Sequence, residues 1–127
     1  MIASSSAGYG HPEYAVYGAS KAGVLNFAQA LRVELQDAGV HVGVLCPLPV
    51  ATPMLDGYNG QTRLIRSGSP LMEIRTPEQV AESILRGIER RQFMIWPGWK
   101  ARTLYWLTRY GNMLAHSVMS RIWRIQS

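Results

Sequence analysis

A helical pattern that leads directly into a β-branched segment is the feature that most restricts how this chain folds. From about Tyr14 to Ala38 apolar residues recur at helical spacing, and Gly39 ends the pattern. Val40 to Cys46 is mostly β-branched or small and stops at Pro47, which is typical of a buried parallel strand. Ile2 to Ser5 reads as the end of an earlier buried strand. A strand, a helix and a second strand in this order predict an α/β fold with a parallel sheet.

The second half of the chain predicts one more helix and one more strand. Thr76-Pro77-Glu78-Gln79 has the sequence of a capping box with proline at the first helical position, and the helix that it begins runs to about Arg90. Phe93 to Trp96 predicts a last short strand. Residues 47–75 contain scattered proline, glycine and serine and are predicted to form a loop.

The end of the chain is basic and rich in tryptophan. The formal net charge is +5, yet residues 1–89 hold six basic and eight acidic side chains, and residues 90–127 hold seven basic and none acidic. All four tryptophans lie in the second part. Apolar residues after Gly98 follow helical spacing, with a break expected at Gly111-Asn112. Residues 99–127 are therefore expected to form a basic helical extension beside a domain of residues 1–98.

Two interpretations of this extension stay open. In one, it packs on its own subunit or on a partner. In the other, it lies in a membrane interface, where basic and aromatic side chains are typical. Nucleic acid is not an expected partner, because no motif of that kind accompanies the charge. The longest uncharged stretch, Ala38 to Leu55, contains three prolines and is therefore not a transmembrane helix.

Composition indicates a folded chain from a reducing compartment. The hydrophobic fraction of 47 % argues against disorder. The single cysteine, Cys46, excludes an internal disulfide and favours a cytoplasmic location. His11, His41 and His116 show no metal-ligand spacing with one another or with Cys46, so no metal site is expected.

Tyr17 and Lys21 form the pair with the clearest chemical meaning. They lie four residues apart and therefore share one face of the predicted helix. An ammonium group stabilises a nearby phenolate, which helps a phenol to give and take a proton near neutral pH. The run Ser4-Ser5-Ser6 supplies a hydroxyl that can orient a carbonyl or alcohol oxygen. Proton transfer of this kind accompanies hydride transfer, for which proteins use a nicotinamide cofactor.

Together these segments resemble the short-chain dehydrogenase/reductase family. Tyr17-Gly18-Ala19-Ser20-Lys21 is similar to the family's Tyr-x-Ala-Ser-Lys signature, and Ser4-Ser5-Ser6-Ala7-Gly8 is similar to its serine-bearing strand end. Cys46 to Met54 is similar to the loop usually written Pro-Gly-x-Val-x-Thr. Their order and spacing are those of the C-terminal half of the family's domain. The resemblance implies the C-terminal part of a doubly wound, Rossmann-type parallel sheet.

The resemblance implies a role for each member of the catalytic group. Ser5, with Ser6 as the second choice, would orient the substrate oxygen. Tyr17 would act as general acid and base. Lys21 would stabilise the phenolate of Tyr17, and both residues would contact the ribose of the bound NAD or NADP.

The loop after the second strand is implied to hold the nicotinamide end of the cofactor through Pro47, Val50 and Thr52. Leu48 stands where the family commonly has glycine, and a leucine does not readily adopt a positive φ, so the loop is expected to run differently. Reductases of long-chain keto-lipids, such as the 3-ketodihydrosphingosine reductase branch, also lack that glycine. They carry a helix similar to Pro77 to Ala81, which favours a lipid-like substrate.

The implied function is NAD(P)-dependent interconversion of a ketone and a secondary alcohol. The family's glycine-rich pyrophosphate turn has no counterpart in this sequence, so the chain is expected to be truncated and to lack turnover by itself. The alternative is a non-catalytic fragment that acts as an interaction or membrane-surface segment.

The expected partners follow from the same resemblance. They are a small carbonyl or alcohol substrate and, through the helix from Tyr14 to Ala38, further copies of the parent protein. Peripheral membrane contact through residues 99–127 is one of the two interpretations left open, so the expected location is the cytoplasm, with attachment to a membrane surface as the alternative.

Overall fold

Three parallel backbone segments form the centre of the molecule. The computed structural model describes residues 1–8, 10, 14–58, 73–111, 117 and 121. Strand β1 (Val44–Leu45) pairs in parallel with strand β2 (Met94–Ile95). On the other side of β1, Ile2 forms a parallel bridge with Leu45, and the amide of Ala3 donates to the Leu45 carbonyl at 2.9 Å. Parallel neighbours need crossover connections, and helices occupy those connections here.

The described part of the chain contains four helices beside this sheet. Helix α1 (Ala15–Glu34) joins the Ile2 segment to β1, and α2 (Pro53–Tyr58) and α3 (Pro77–Glu89) lie between β1 and β2. Helix α4 (Trp99–Tyr110) follows β2. A 3₁₀ turn, Ser5–Ala7, which we call the serine turn, precedes α1. The mixture of helices and parallel strands confirms the predicted α/β class. None of the helices in the described part of the chain has the length and apolar character that crossing a membrane requires.

The strands are shorter than the sequence predicted. The expected strand Val40–Cys46 is reduced to Val44–Leu45, and Phe93–Trp96 is reduced to Met94–Ile95, because ladder pairing extends only that far. The expected strand Ile2–Ser5 ends early, because the Ser4 hydroxyl accepts a hydrogen bond from the Ser6 amide and so caps a 3₁₀ turn.

The helices also differ from the predictions in their bounds. Helix α1 ends at Glu34 rather than Ala38, and the chain continues in turns to Gly39, whose φ of +71° suits glycine. Helix α2 lies inside the expected loop of residues 47–75 and begins at Pro53, a residue whose fixed φ suits the first turn of a helix. The predicted break at Gly111-Asn112 coincides with the end of α4, but Asn112 itself lies outside the described residues.

The capping box that was read from the sequence is formed. The Thr76 hydroxyl accepts from the Gln79 amide at 3.4 Å, and the Gln79 side chain accepts from the Thr76 amide at 3.1 Å. Pro77 occupies the first turn, where its missing N–H is not needed. This start fixes the direction of α3 across one face of the sheet.

Alternate residues of β1 face opposite sides of the sheet, and each side has its own core. Leu45 packs with Ile95 and with Val80 of α3. The other side faces α1 and α4, and its buried cluster contains Ala3, Leu25, Ala28, Val42, Val44, Cys46 and Tyr105. Because Tyr105 belongs to α4, the first helix of the predicted extension shares a core with α1.

Candidate active site

The serine turn is held by its neighbours on the sheet. The amide of Ser5 donates to the Pro47 carbonyl at 3.0 Å, which joins two predicted site residues. Ser4 is buried and uses its hydroxyl as the cap of the turn, whereas Ser5 keeps only 3 % of its surface exposed. Ser6 is half-buried. The three serines therefore differ in environment, although the sequence presents them as near equivalents.

The first turns of α1 pack against the serine turn. A β-carbon placed on Gly18 would lie 3.5 Å from the Ser6 carbonyl oxygen, so the helix backbone is close to the turn there. Tyr17 is the residue before this contact. Its ring meets that of Tyr14 edge to face, with 6.0 Å between centroids. Tyr17 therefore adjoins in sequence the residue that contacts the serine turn, and its side chain is exposed.

Tyr17 and Lys21 are brought together on one helix face. The Lys21 ammonium lies 5.5 Å from the centroid of the Tyr17 ring, which is within the range of a cation–π contact. Lys21 is half-buried and makes no ion pair with a carboxylate of the described residues. The structure therefore places the two residues of the predicted pair side by side on α1.

The loop after β1 carries the remaining predicted site residues. The Thr52 hydroxyl donates to the Val50 carbonyl at 3.3 Å, so these two residues lie together. Leu48 is buried and does not have a positive φ, in agreement with the expectation that the loop avoids the family's glycine conformation. We call residues 47–52 the β1 exit loop.

Arg75 holds this loop and was not predicted from the sequence. Its backbone forms a parallel bridge with Val50, accepting from the Ala51 amide at 2.8 Å and donating to the Pro49 carbonyl at 3.1 Å. Its guanidinium pairs with Glu73 at 2.8 Å. The guanidinium also covers Gly98, where an added β-carbon would lie only 2.8 Å from it. A lone arginine in a loop-like segment carries no pattern that would have revealed this role.

Tyr105 supports the serine turn from the other side and was also missed. A β-carbon on Gly8 would overlap a ring carbon of Tyr105, so the ring rests directly on the glycine. Burial raises the pKa of the Tyr105 phenol, and the nearby charge of Arg109 acts in the opposite direction. The helical spacing of residues after Gly98 indicates a helix but not which of its residues reaches the turn.

Within the described ranges, no three side chains of histidine, cysteine, aspartate or glutamate converge as a metal ion requires. His11 and His116 lie outside those ranges.

The sequence of this chain is similar to those of known proteins. The family model described as enoyl-(acyl carrier protein) reductase matches residues 1–86. The 11-beta-hydroxysteroid dehydrogenase-like 4A of Arabidopsis thaliana is 31 % identical over 111 residues, which are 84 % of this chain and 35 % of that protein. The 3-oxoacyl-[acyl-carrier-protein] reductase of Synechocystis sp. is 37 % identical over 75 residues, which are 59 % of this chain and 30 % of that protein. The chain thus spans about a third of the length of these relatives.

A solved structure shows the same architecture. The short-chain dehydrogenase from Sphingobium yanoikuyae in complex with NADPH is 25 % identical, with a TM-score of 0.63 over 94 % of this chain and 43 % of that chain. The fold is therefore part of the doubly wound sheet that the motifs implied. With the family model matching more than half of its residues, the chain belongs to the short-chain dehydrogenase/reductase family.

Proposed function

We propose that this chain contributes the catalytic half of a nicotinamide-dependent oxidoreductase that interconverts a ketone and a secondary alcohol. The observation that carries the proposal is the half-buried Lys21 ammonium, 5.5 Å from the Tyr17 ring, on a helix that packs against the serine turn. Relatives named as a ketoacyl reductase and hydroxysteroid dehydrogenases support a carbonyl or alcohol substrate.

The residues present suit the nicotinamide end of NAD or NADP. Lys21 offers a cation and hydrogen-bond donors that suit ribose hydroxyls, and Tyr17 offers a hydroxyl beside it. Pro47, Val50 and Thr52 offer backbone groups and a hydroxyl that suit a carboxamide. When bound, the cofactor supplies or accepts the hydride. The solved relative's NADPH supports the phosphorylated form as the first to test.

Tyr17 performs the proton transfer in the proposed reaction. In the reducing direction its Oη gives a proton to the substrate oxygen, and Lys21 stabilises the phenolate that remains. In the oxidising direction that phenolate takes the proton of the alcohol. Ser5 holds the substrate oxygen by a hydrogen bond, with Ser6 as the second choice.

The substrate and the assembly are further parts of the proposal. A lipid-like ketone is favoured by the relatives named for acyl and steroid substrates, and the 3-ketodihydrosphingosine reductase branch stays a prediction. Homo-oligomers through α1 are supported by the exposed Val16, Phe27 and Val33 on that helix. Peripheral membrane contact through residues 99–127 is supported by their charge and tryptophan content.

Titration with NADPH and NADH of a full-length protein that contains this chain tests the proposed cofactor site. Energy transfer from tryptophan to the reduced nicotinamide reports binding, and Lys21→Met should weaken it. Lys100→Met removes the other lysine of the chain and serves as the matched control. If neither nucleotide binds, or both substitutions act alike, the site is not a cofactor site and the non-catalytic alternative gains support.

A further inference from the structure

Helix α4 presents an aromatic stripe to solvent. Trp99, Thr103, Trp106 and Tyr110 are spaced by four, three and four residues, which places them on one side of the helix. Trp99 is 69 % exposed and Tyr110 is 81 % exposed, and the rings of Trp106 and Tyr110 stack with 5.4 Å between centroids. We call these four residues, with the flanking Arg102, Leu107 and Arg109, the docking face.

The opposite side of α4 is already used. Ala101, Tyr105 and Thr108 are buried against the body of the molecule. Tyr105 also rests on Gly8, which fixes how the helix is turned about its axis. A small rotation of the helix would therefore not bury the exposed aromatic residues in the core.

The charge around the docking face determines which kind of partner it can bind. Arg102 and Arg109 border the aromatic stripe, and neither pairs with a carboxylate of the described residues. Residues 90–127 contain seven basic side chains and no acidic one. A second copy of the same basic face would repel it, whereas an anionic surface would attract it.

We propose that the docking face of α4 binds the surface of a bilayer that contains anionic lipid. Trp and Tyr rings suit the headgroup level, Leu107 reaches toward the acyl chains, and the arginines face acidic headgroups. The helix lies in the plane of the surface, since its other side is packed on the protein. The proposal deepens the membrane contact suggested under the proposed function and depends on no step of the redox chemistry.

Vesicle flotation of the full chain, without cofactor or substrate, tests the proposal. We expect flotation with vesicles of phosphatidylcholine mixed with phosphatidylserine and little with phosphatidylcholine alone. The double substitution Arg102→Gln and Arg109→Gln should weaken partitioning by about 25-fold, since each surface arginine contributes about fivefold. Arg90→Gln, at the end of α3, is the matched control and should leave binding unchanged.

The apolar contribution has an equally close control. Leu107→Ala should reduce flotation, whereas Leu85→Ala, on α3, should not, because Leu85 lies outside the docking face. The two leucines are a matched pair, since they are 64 % and 62 % exposed. Lipids brominated on their acyl chains should quench tryptophan fluorescence, and the quenching should fall in the Trp99→Phe/Trp106→Phe protein.

Three results would contradict the proposal that the docking face binds an anionic bilayer. One is binding that survives both the arginine and the leucine substitutions on α4. Another is equal binding to neutral and anionic vesicles. The third is self-association in solution that these same substitutions abolish, which would make the face a contact between copies of the chain. Because no nucleotide is added, failure here leaves the proposed oxidoreductase function untouched, and the converse also holds.

Discussion

Tyr17 and Tyr14 are neighbouring phenols at the start of α1, and the Lys21 ammonium lies 5.5 Å from the centroid of the Tyr17 ring. In a full-length protein that contains this chain, Tyr17→Phe should lower kcat by about 10²- to 10⁴-fold, the usual contribution of a general acid, while NADPH affinity changes little. Tyr14→Phe removes the adjacent hydroxyl and should leave kcat near that of the unmodified protein. Steady-state kinetics with ketone substrates measures both. Turnover that survives Tyr17→Phe would assign the proton transfer to another group.

Burial separates the two serines that the sequence could not rank firmly. Ser5 is buried beside Pro47, whereas Ser6 is half-buried. Ser5→Ala should lower kcat about 10²- to 10³-fold, as loss of a donor to a developing oxyanion does, and Ser6→Ala should change it far less. The reverse order would move the orienting role to Ser6.

Cys46 makes stability depend on alkaline pH. Burial raises the pKa of its thiol from the ordinary 9.0 to about 12. The folded chain keeps this proton where the unfolded chain loses it, so the contribution to stability is complete below about pH 9 and disappears as the pH approaches about 12. Urea unfolding at about pH 8 and about pH 11 should show the loss, and Cys46→Ala should show a smaller one. An identical decline in both proteins would place the effect elsewhere.

At the scale of the elements, two helical glycines differ in the space around them. A β-carbon on Gly87 of α3 would lie 2.5 to 2.9 Å from Ile95 side-chain atoms, whereas one on Gly23 of α1 would meet nothing within 4 Å. Gly23→Ala should therefore stabilise the protein by about 0.5–1 kcal/mol, because alanine favours the helix. Gly87→Ala should destabilise it by about 1–3 kcal/mol through overpacking.

Chemical denaturation measures both glycine variants against the unmodified chain. Adding Ile95→Val to Gly87→Ala should recover part of the loss, since valine is smaller at the point of contact. Two glycine variants of equal stability would show that α3 can shift away from β2, contrary to the close packing seen here.

The elements show where sequence reasoning succeeds. The capping box at Thr76 was predictable because its signals are local: a hydroxyl, a proline and a glutamine within one turn. The strand at Val44–Leu45 was placed correctly but drawn too long, because pairing depends on neighbours that lie far away in sequence. Helix α2 was missed, since Pro53 reads equally well as a loop residue or as the first residue of a helix.

The site divides in the same way. Tyr17 and Lys21 share a face because both lie on one helix, and the spacing alone predicts it. Arg75 and Tyr105 reach the site only through tertiary contacts, with Val50 in one case and Gly8 in the other. Nothing in their local sequence distinguishes them from other arginines and tyrosines.

For the molecule as a whole, α4 and α1 close one core over the sheet, with Tyr105 between α4 and the serine turn. Tyr105→Leu should therefore speed hydrogen exchange at the Ala7 and Gly8 amides, which donate to the Ser4 and Ser5 carbonyls. Amides of α3 should remain protected because that helix packs on the other side of the sheet. Uniform loss of protection would indicate general destabilisation, and no change at Ala7 and Gly8 would mean that residues 99–127 form a separate unit.

The contact between Gly8 and Tyr105 also limits how this chain can diverge. The aromatic ring fills the space that any side chain at position 8 would require. An alanine at position 8 is compatible only with a side chain smaller than tyrosine at position 105. Conversely, a smaller side chain at position 105 leaves a void that a methyl group at position 8 would partly fill. Residues 8 and 105 should therefore change together in related sequences, and an alignment of orthologues can test this covariation.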